Sequence, residues 1–90
     1  MSDQLVFIAL QANDDMRPVI DAIEADNPHA TVHRYPAMVK IDAPGRLEVN
    51  RATVEDLIGR SWDPQELQLG LISLAGNIDE TEDSFVLAWR

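Results

Sequence analysis

The chain has 90 residues and no cysteine, 46% of it is apolar, and 16 Asp and Glu outweigh 7 Lys and Arg to give a net charge of -9. That composition is globular rather than disordered, and without disulfides or thiolate metal ligands packing alone must hold one modest core. The acidic balance argues against nucleic acid and membrane surfaces as partners and favours fast encounters with basic or mixed protein surfaces.

Near the N-terminus an apolar run of six residues follows Asp3 with no basic segment before it. This fits neither a signal peptide nor a spanning helix, so a cytoplasmic location is expected. LVFIALQ (5–11) is too brief for a stable helix and gives way at once to NDD, which predicts a buried strand. Met16, Val19, Ile20 and Ile23 then recur at helical spacing, with Asp14 or Asp15 as the expected cap and Pro18 in the first turn. Asn27-Pro28 should stop this helix near Ala25 or Asp26. Glu24 and Asp26 sit at its negative end, where carboxylates do not help the helix, as a tolerated accident or as an acidic face kept for a partner.

Residues 30–35 and 38–42 alternate as two strands, Ala43-Pro44-Gly45 is a turn by composition, and 46–49 forms a short strand. Asn50 should cap a second helix buried through Val54, Leu57 and Ile58 and ended by Gly59 in the left-handed conformation. After a linker turn at Trp62-Asp63-Pro64, the alternation of Leu67, Leu69 and Leu71 predicts a long strand. Asp79 to Asp83 is then an acidic turn, and Phe85 to Trp89 the final strand, with Phe85, Leu87 and Trp89 on one face. The expected fold is α+β: a single small domain over residues 1–90, strand-helix-strand-strand repeated twice, with a largely antiparallel sheet covered by two helices.

Catalytic and cofactor motifs are missing from the sequence. It has no HExxH, GxSxG or GxxxxGK[ST], and its four glycines stand alone, so no phosphate-cradling loop is available. His29 and His33 lie four apart at a strand entry, about 13 Å in extended chain, too far for one ion. A calcium loop starting at Asp79 would place Ser84 where glycine is needed and its closing Glu beyond Arg90. Few aromatics are available to floor a carbohydrate cleft between paired carboxylates. These absences suit a binding module. They equally suit a small ligand-binding or regulatory α+β domain, which would need an apolar pocket.

Four pieces taken in order, IEADNPHA (23–30), YPAMVKIDAPGRLEVNR (35–51), LIGRSWD (57–63) and LISLAGNIDETEDSFVLAW (71–89), give the chain its resemblance. Together they resemble the cofactorless effector, or coupling, proteins of bacterial multicomponent di-iron monooxygenases, the methane monooxygenase component B-like family, and within it most nearly the stimulatory proteins of phenol hydroxylases. The resemblance implies a protein with no metal, flavin or catalytic residue of its own. It implies binding to a di-iron hydroxylase oligomer, so that electrons from an NADH-dependent iron–sulfur flavoprotein reductase go into hydroxylation. Under that reading Tyr35, Met38 and Trp62, which flank prolines or turns, are candidate exposed anchors, and Asn77, Asp79 and Glu80 a candidate polar rim. For Met38 and Trp62 ordinary packing beneath a turn is the competing assignment.

Overall fold

The computed structural model describes residues 4–89, so Asp3, used in reading the N-terminus, lies outside the described residues. In chain order the elements are β1 (Leu5–Gln11), α1 (Arg17–Asp26), β2 (Thr31–Arg34), β3 (Met38–Pro44), β4 (Arg46–Asn50), α2 (Arg51–Ile58), a 3-10 helix (Pro64–Leu69), β5 (Leu71–Ala75), β6 (Asn77–Glu80) and β7 (Ser84–Ala88). The α+β expectation holds, with the antiparallel strands divided between two sheets: a four-stranded one ordered β2-β3-β1-β5 and a three-stranded one ordered β4-β7-β6. Val6, Ile8 and Leu10 from β1, Val19, Ile20 and Ile23 from α1, and Leu47, Val49, Phe85 and Leu87 from the second sheet share one apolar cluster. The alternation and helical spacing in the sequence therefore point to a common interior.

Several local expectations give way to specific contacts. Met16, not Asp14 or Asp15, is the N-cap of α1, and its N–H donates to Asn13 Oδ1 at 2.9 Å. Asn50 does precede α2, but its amide donates to Asp26 Oδ2 at 3.1 Å and makes no cap bond. Glu24 accepts from Arg34 Nη2 at 3.1 Å, so both carboxylates at the end of α1 have partners within the chain. β3 continues through Pro44, leaving Gly45 as the turn. Gly59 ends α2 in the left-handed conformation as expected, whereas Leu57 is exposed.

The expected strand through Leu67 and Leu69 is instead 3-10 helix up to Leu69. Asp63 Oδ1 accepts from Gln65 N–H while Glu66 Oε2 accepts from Asp63 N–H, a reciprocal cap that commits the chain to a helical start. Leu67 is buried and Leu69 is exposed. The acidic stretch is not all turn, because Asn77–Glu80 pairs with β7 and only residues 81–83 turn. Trp89 lies just past β7, half exposed, and its indole N–H donates to the Leu5 carbonyl at 2.8 Å.

Two features hold the sheets in place. Asn27 is the one buried polar residue among those described. Its Nδ2 donates to the carbonyls of Ile23 and Glu48, each at 2.7 Å, and its Oδ1 accepts from Glu48 N–H at 2.9 Å, so it occupies the edge of β4 as a strand backbone would. Gly76, with φ of 137°, carries the chain from β5 at the edge of one sheet into β6 at the edge of the other.

Candidate functional site: an acidic and apolar contact surface

The six candidate residues fall into three places. Tyr35 is 51% exposed in the β2–β3 connection, where its N–H donates to the Met38 carbonyl at 2.8 Å, and Met38 is half-buried opposite Gln11. Trp62 is only 3% exposed and packs in the core, which removes it as an exposed anchor. Its position before Pro64 placed it correctly at a turn, but the ring turns inward beneath it. Asn77, Asp79 and Glu80 are all exposed on β6. No strand pairing joins β6 to the Tyr35 hairpin, which belongs to the other sheet.

On the chain leading into β6, and within it, the structure exposes three further large apolar residues. Leu69, Ile72 and Ile78 are 77%, 48% and 50% exposed, and all lie on one stretch of chain beside or within the two edge strands. Ile72 is the extra residue where the β1–β5 register shifts between Ala9 and Leu10, a bulge of the kind that re-aims a side chain. Of the three, Ile78 stands beside Asp79 and Glu80 on an open sheet edge, an exposed apolar side chain among acids of the kind that protein contacts use. The signal present in the sequence was the ten-residue span from Leu69 to Ile78, in which four large apolar residues (Leu69, Leu71, Ile72 and Leu74) are followed by a lone Ile78 amid acids.

The β6–β7 turn is fastened from behind. Arg51 donates its backbone N–H to the Asp83 carbonyl at 2.9 Å, Nη1 to the Glu82 carbonyl at 3.3 Å and Nε to Glu55 Oε2 at 3.0 Å. The same Glu55 oxygen accepts from Trp62 N–H at 2.8 Å. One arginine–glutamate pair thus links the acidic turn, α2 and the segment leading into the 3-10 helix. The Trp62 N–H first, and Arg51 second, hold the Glu55 carboxyl below its ordinary value of 4.5. A carboxyl lowered on folding contributes stability above its unfolded value and loses it as pH falls through the folded one. Glu55→Gln should therefore flatten the fall in thermal midpoint in a titration below pH 4.5, while an unchanged acid limb would show the bond contributes nothing.

A polar cleft of about 630 Å³ is lined by Glu80, Thr81, Glu82, Asp63, Gln65 and Arg51. A smaller hollow of about 230 Å³ has Met16, Val19, Ile58 and Trp62 on its floor, but the Met16, Val19 and Trp62 side chains are buried and Asp15, Arg60 and Glu66 ring the opening. Neither is the deep apolar pocket that a ligand-binding domain needs. His29 and His33 have separate partners, the Arg46 carbonyl at 3.0 Å and Asp42 Oδ2 at 3.2 Å.

Comparison with known proteins gives this surface a context. Residues 4–88 match the model of the MmoB/DmpM family. The chain is 52% identical over 86 residues, 96% of each chain, to the phenol 2-monooxygenase stimulatory component DmpM of Pseudomonas sp. strain CF600. It is 30% identical over 84 residues, 91% of this chain and 83% of the other, to the effector subunit of an alkene monooxygenase system of Xanthobacter autotrophicus. In a solved structure of a phenol hydroxylase–regulatory protein complex, a chain 49% identical superposes with a TM-score of 0.93 over 97% of this chain and 100% of that one.

Proposed function

The chain belongs to the MmoB/DmpM family, and from that premise we propose that it is the regulatory protein of a multicomponent phenol monooxygenase, binding the hydroxylase component and stimulating NADH-dependent hydroxylation at the hydroxylase's di-iron centre. The observation that carries this is identity of 52% with a phenol 2-monooxygenase stimulatory component along 96% of both chains. The protein is not itself an enzyme: oxidation of the aromatic ring takes place in the hydroxylase, and electrons arrive from an NADH-dependent iron–sulfur flavoprotein reductase. It works in the cytoplasm, where NADH is available, and no described helix is long and apolar enough to cross a membrane.

The mechanism is differential binding. A regulator shifts its partner toward a productive state only by binding that state more tightly than the resting one. A tenfold preference is about 1.4 kcal/mol, within reach of a few well-packed side chains. The contact residues on this reading are Asn77, Asp79 and Glu80 on β6 with the apolar Ile78 between them, Leu69 and Ile72 on the chain leading to and within β5, and Tyr35 and Met38 as a further contact.

Titrating the purified protein into a phenol hydroxylase and its reductase should raise NADH-dependent catechol formation and lower peroxide leakage. A flat response across the titration would sink the proposal. Asp79→Lys with Glu80→Lys should weaken hydroxylase binding at least tenfold and leave the thermal midpoint within a few degrees, because both side chains are exposed and unpaired by any ion pair among the described residues. An equal loss of folding stability would assign them a structural role.

A further inference from the structure

The alternation of hydrogen bonds in the three-stranded sheet fixes which backbone groups point away from it. Thr81 N–H donates to the Ser84 carbonyl at 2.9 Å, so Thr81 and Ser84 are a bonded pair. In an antiparallel ladder bonded and non-bonded pairs alternate, so Asp79 with Val86 and Asn77 with Ala88 are bonded, while Glu80 with Phe85 and Ile78 with Leu87 are not. The N–H and C=O of Ile78 and Glu80 therefore point outward, to the open side of β6. The other edge gives an independent check. Arg51 N–H donates to the Asp83 carbonyl, which turns the backbone of Glu48 outward on β4, where Asn27 indeed meets both its N–H and its C=O. His29 meets the Arg46 carbonyl on the same side.

The sheet thus has one edge closed by its own side chains and one left open. No described residue bonds the outward groups of Ile78 or Glu80, and all four residues of β6 are exposed. Arg51 fixes the adjoining turn, so the edge is held in strand geometry before anything binds. β5, the neighbouring open edge, is interrupted by the Ile72 bulge and carries no carboxylate. Pairing of β6 with a second copy of itself in antiparallel register would set Asp79 and Glu80 against carboxylates of the same sign, which opposes it.

We propose that the outer edge of β6 accepts an extended, basic segment of the hydroxylase as an added strand, with the Ile78 and Glu80 backbone groups forming the new ladder and Asp79, Glu80 and Glu82 receiving its Lys or Arg side chains. This rests on the hydroxylase-binding function proposed above and adds the mode of contact. Backbone pairing supplies register, and the acidic side chains select the sign of the partner.

Two measurements decide it. In hydrogen–deuterium exchange on the isotope-labelled protein, quenched and released from the hydroxylase complex, the Ile78 and Glu80 amides should exchange at least tenfold more slowly than in the free protein. Ile78→Pro removes an outward N–H without touching the β7 ladder, and should weaken hydroxylase binding at least tenfold beyond Ile78→Ala, which removes only the side chain. If the protein binds and stimulates the hydroxylase while both amides stay fast, or if the two variants bind alike, strand addition is wrong and the regulatory function stands. If the protein does not bind hydroxylase, both fall. Slowing of the two amides in the protein alone as its concentration rises would make a second copy the occupant and overturn the proposal. Should the proline variant fail to fold, exchange on the unsubstituted protein still decides.

Discussion

Replacing Asn27 by Ala should lower stability by about 2–4 kcal/mol, because a removed partner leaves buried or part-buried backbone groups unsatisfied. Three bonds disappear at once: the donations to the Ile23 and Glu48 carbonyls and the acceptance from Glu48 N–H. For a chain of this length that loss corresponds to a fall in thermal midpoint on the order of 10–25 °C. Asn27→Asp at neutral pH should be worse than Ala, since a carboxylate has no proton for either carbonyl and sets a negative charge against both. A midpoint within a few degrees of the parent for both variants would show that water replaces the amide and that the edge of β4 needs no internal plug.

This residue also marks the limit of what the sequence reveals. Asn27-Pro28 announces the end of α1 correctly, because the residue before proline is pushed out of helical geometry. Nothing local announces that the Asn27 amide will pair with Glu48, 21 positions away. Elements with apolar periodicity, β1, α1 and β7, are legible for the reason that burial imposes their spacing. The alternation of Leu67, Leu69 and Leu71 points to a strand, although Asp63 with Glu66 three residues on is a capping signal strong enough to argue for the helical start found there. β6 is nearly illegible, since a strand exposed along its whole length has no reason to alternate. The same exposure that hides it from pattern reading is what the proposed hydroxylase contact uses. Trp62 shows the converse: a large ring beside a turn is ambiguous until the core is seen to extend beneath it.

Gly76→Ala should cost about 2–4 kcal/mol, combining backbone strain with a steric conflict. At φ of 137° glycine is nearly alone in being unstrained, and a Cβ there would stand 3.0 Å from Val6 Cγ1 and 3.4 Å from Leu87 Cβ. Val6, in the four-stranded sheet, would have to give by a few tenths of an ångström, while Leu87, in the three-stranded sheet, would be at ordinary contact distance. Stimulation of hydroxylase should then fall further than stability alone explains, because the relative placement of β5 and β6 changes even in molecules that remain folded. Measuring stimulation at a temperature where the variant is fully folded separates the effects. Full stimulation there would show that the alignment of the two edges does not matter for the partner.

The bond from the Trp89 indole to the Leu5 carbonyl spans 84 positions. It brings the start of β1 and the residue after β7 to the same corner of the molecule. A circular permutant that joins these ends with a short linker and opens the chain within the 81–83 turn would keep every strand pairing while giving β6 and β7 separate ends. Such a molecule turns the acidic hairpin into an adjustable element, whose two strands can be lengthened or loosened independently to ask how much rigidity the regulator needs.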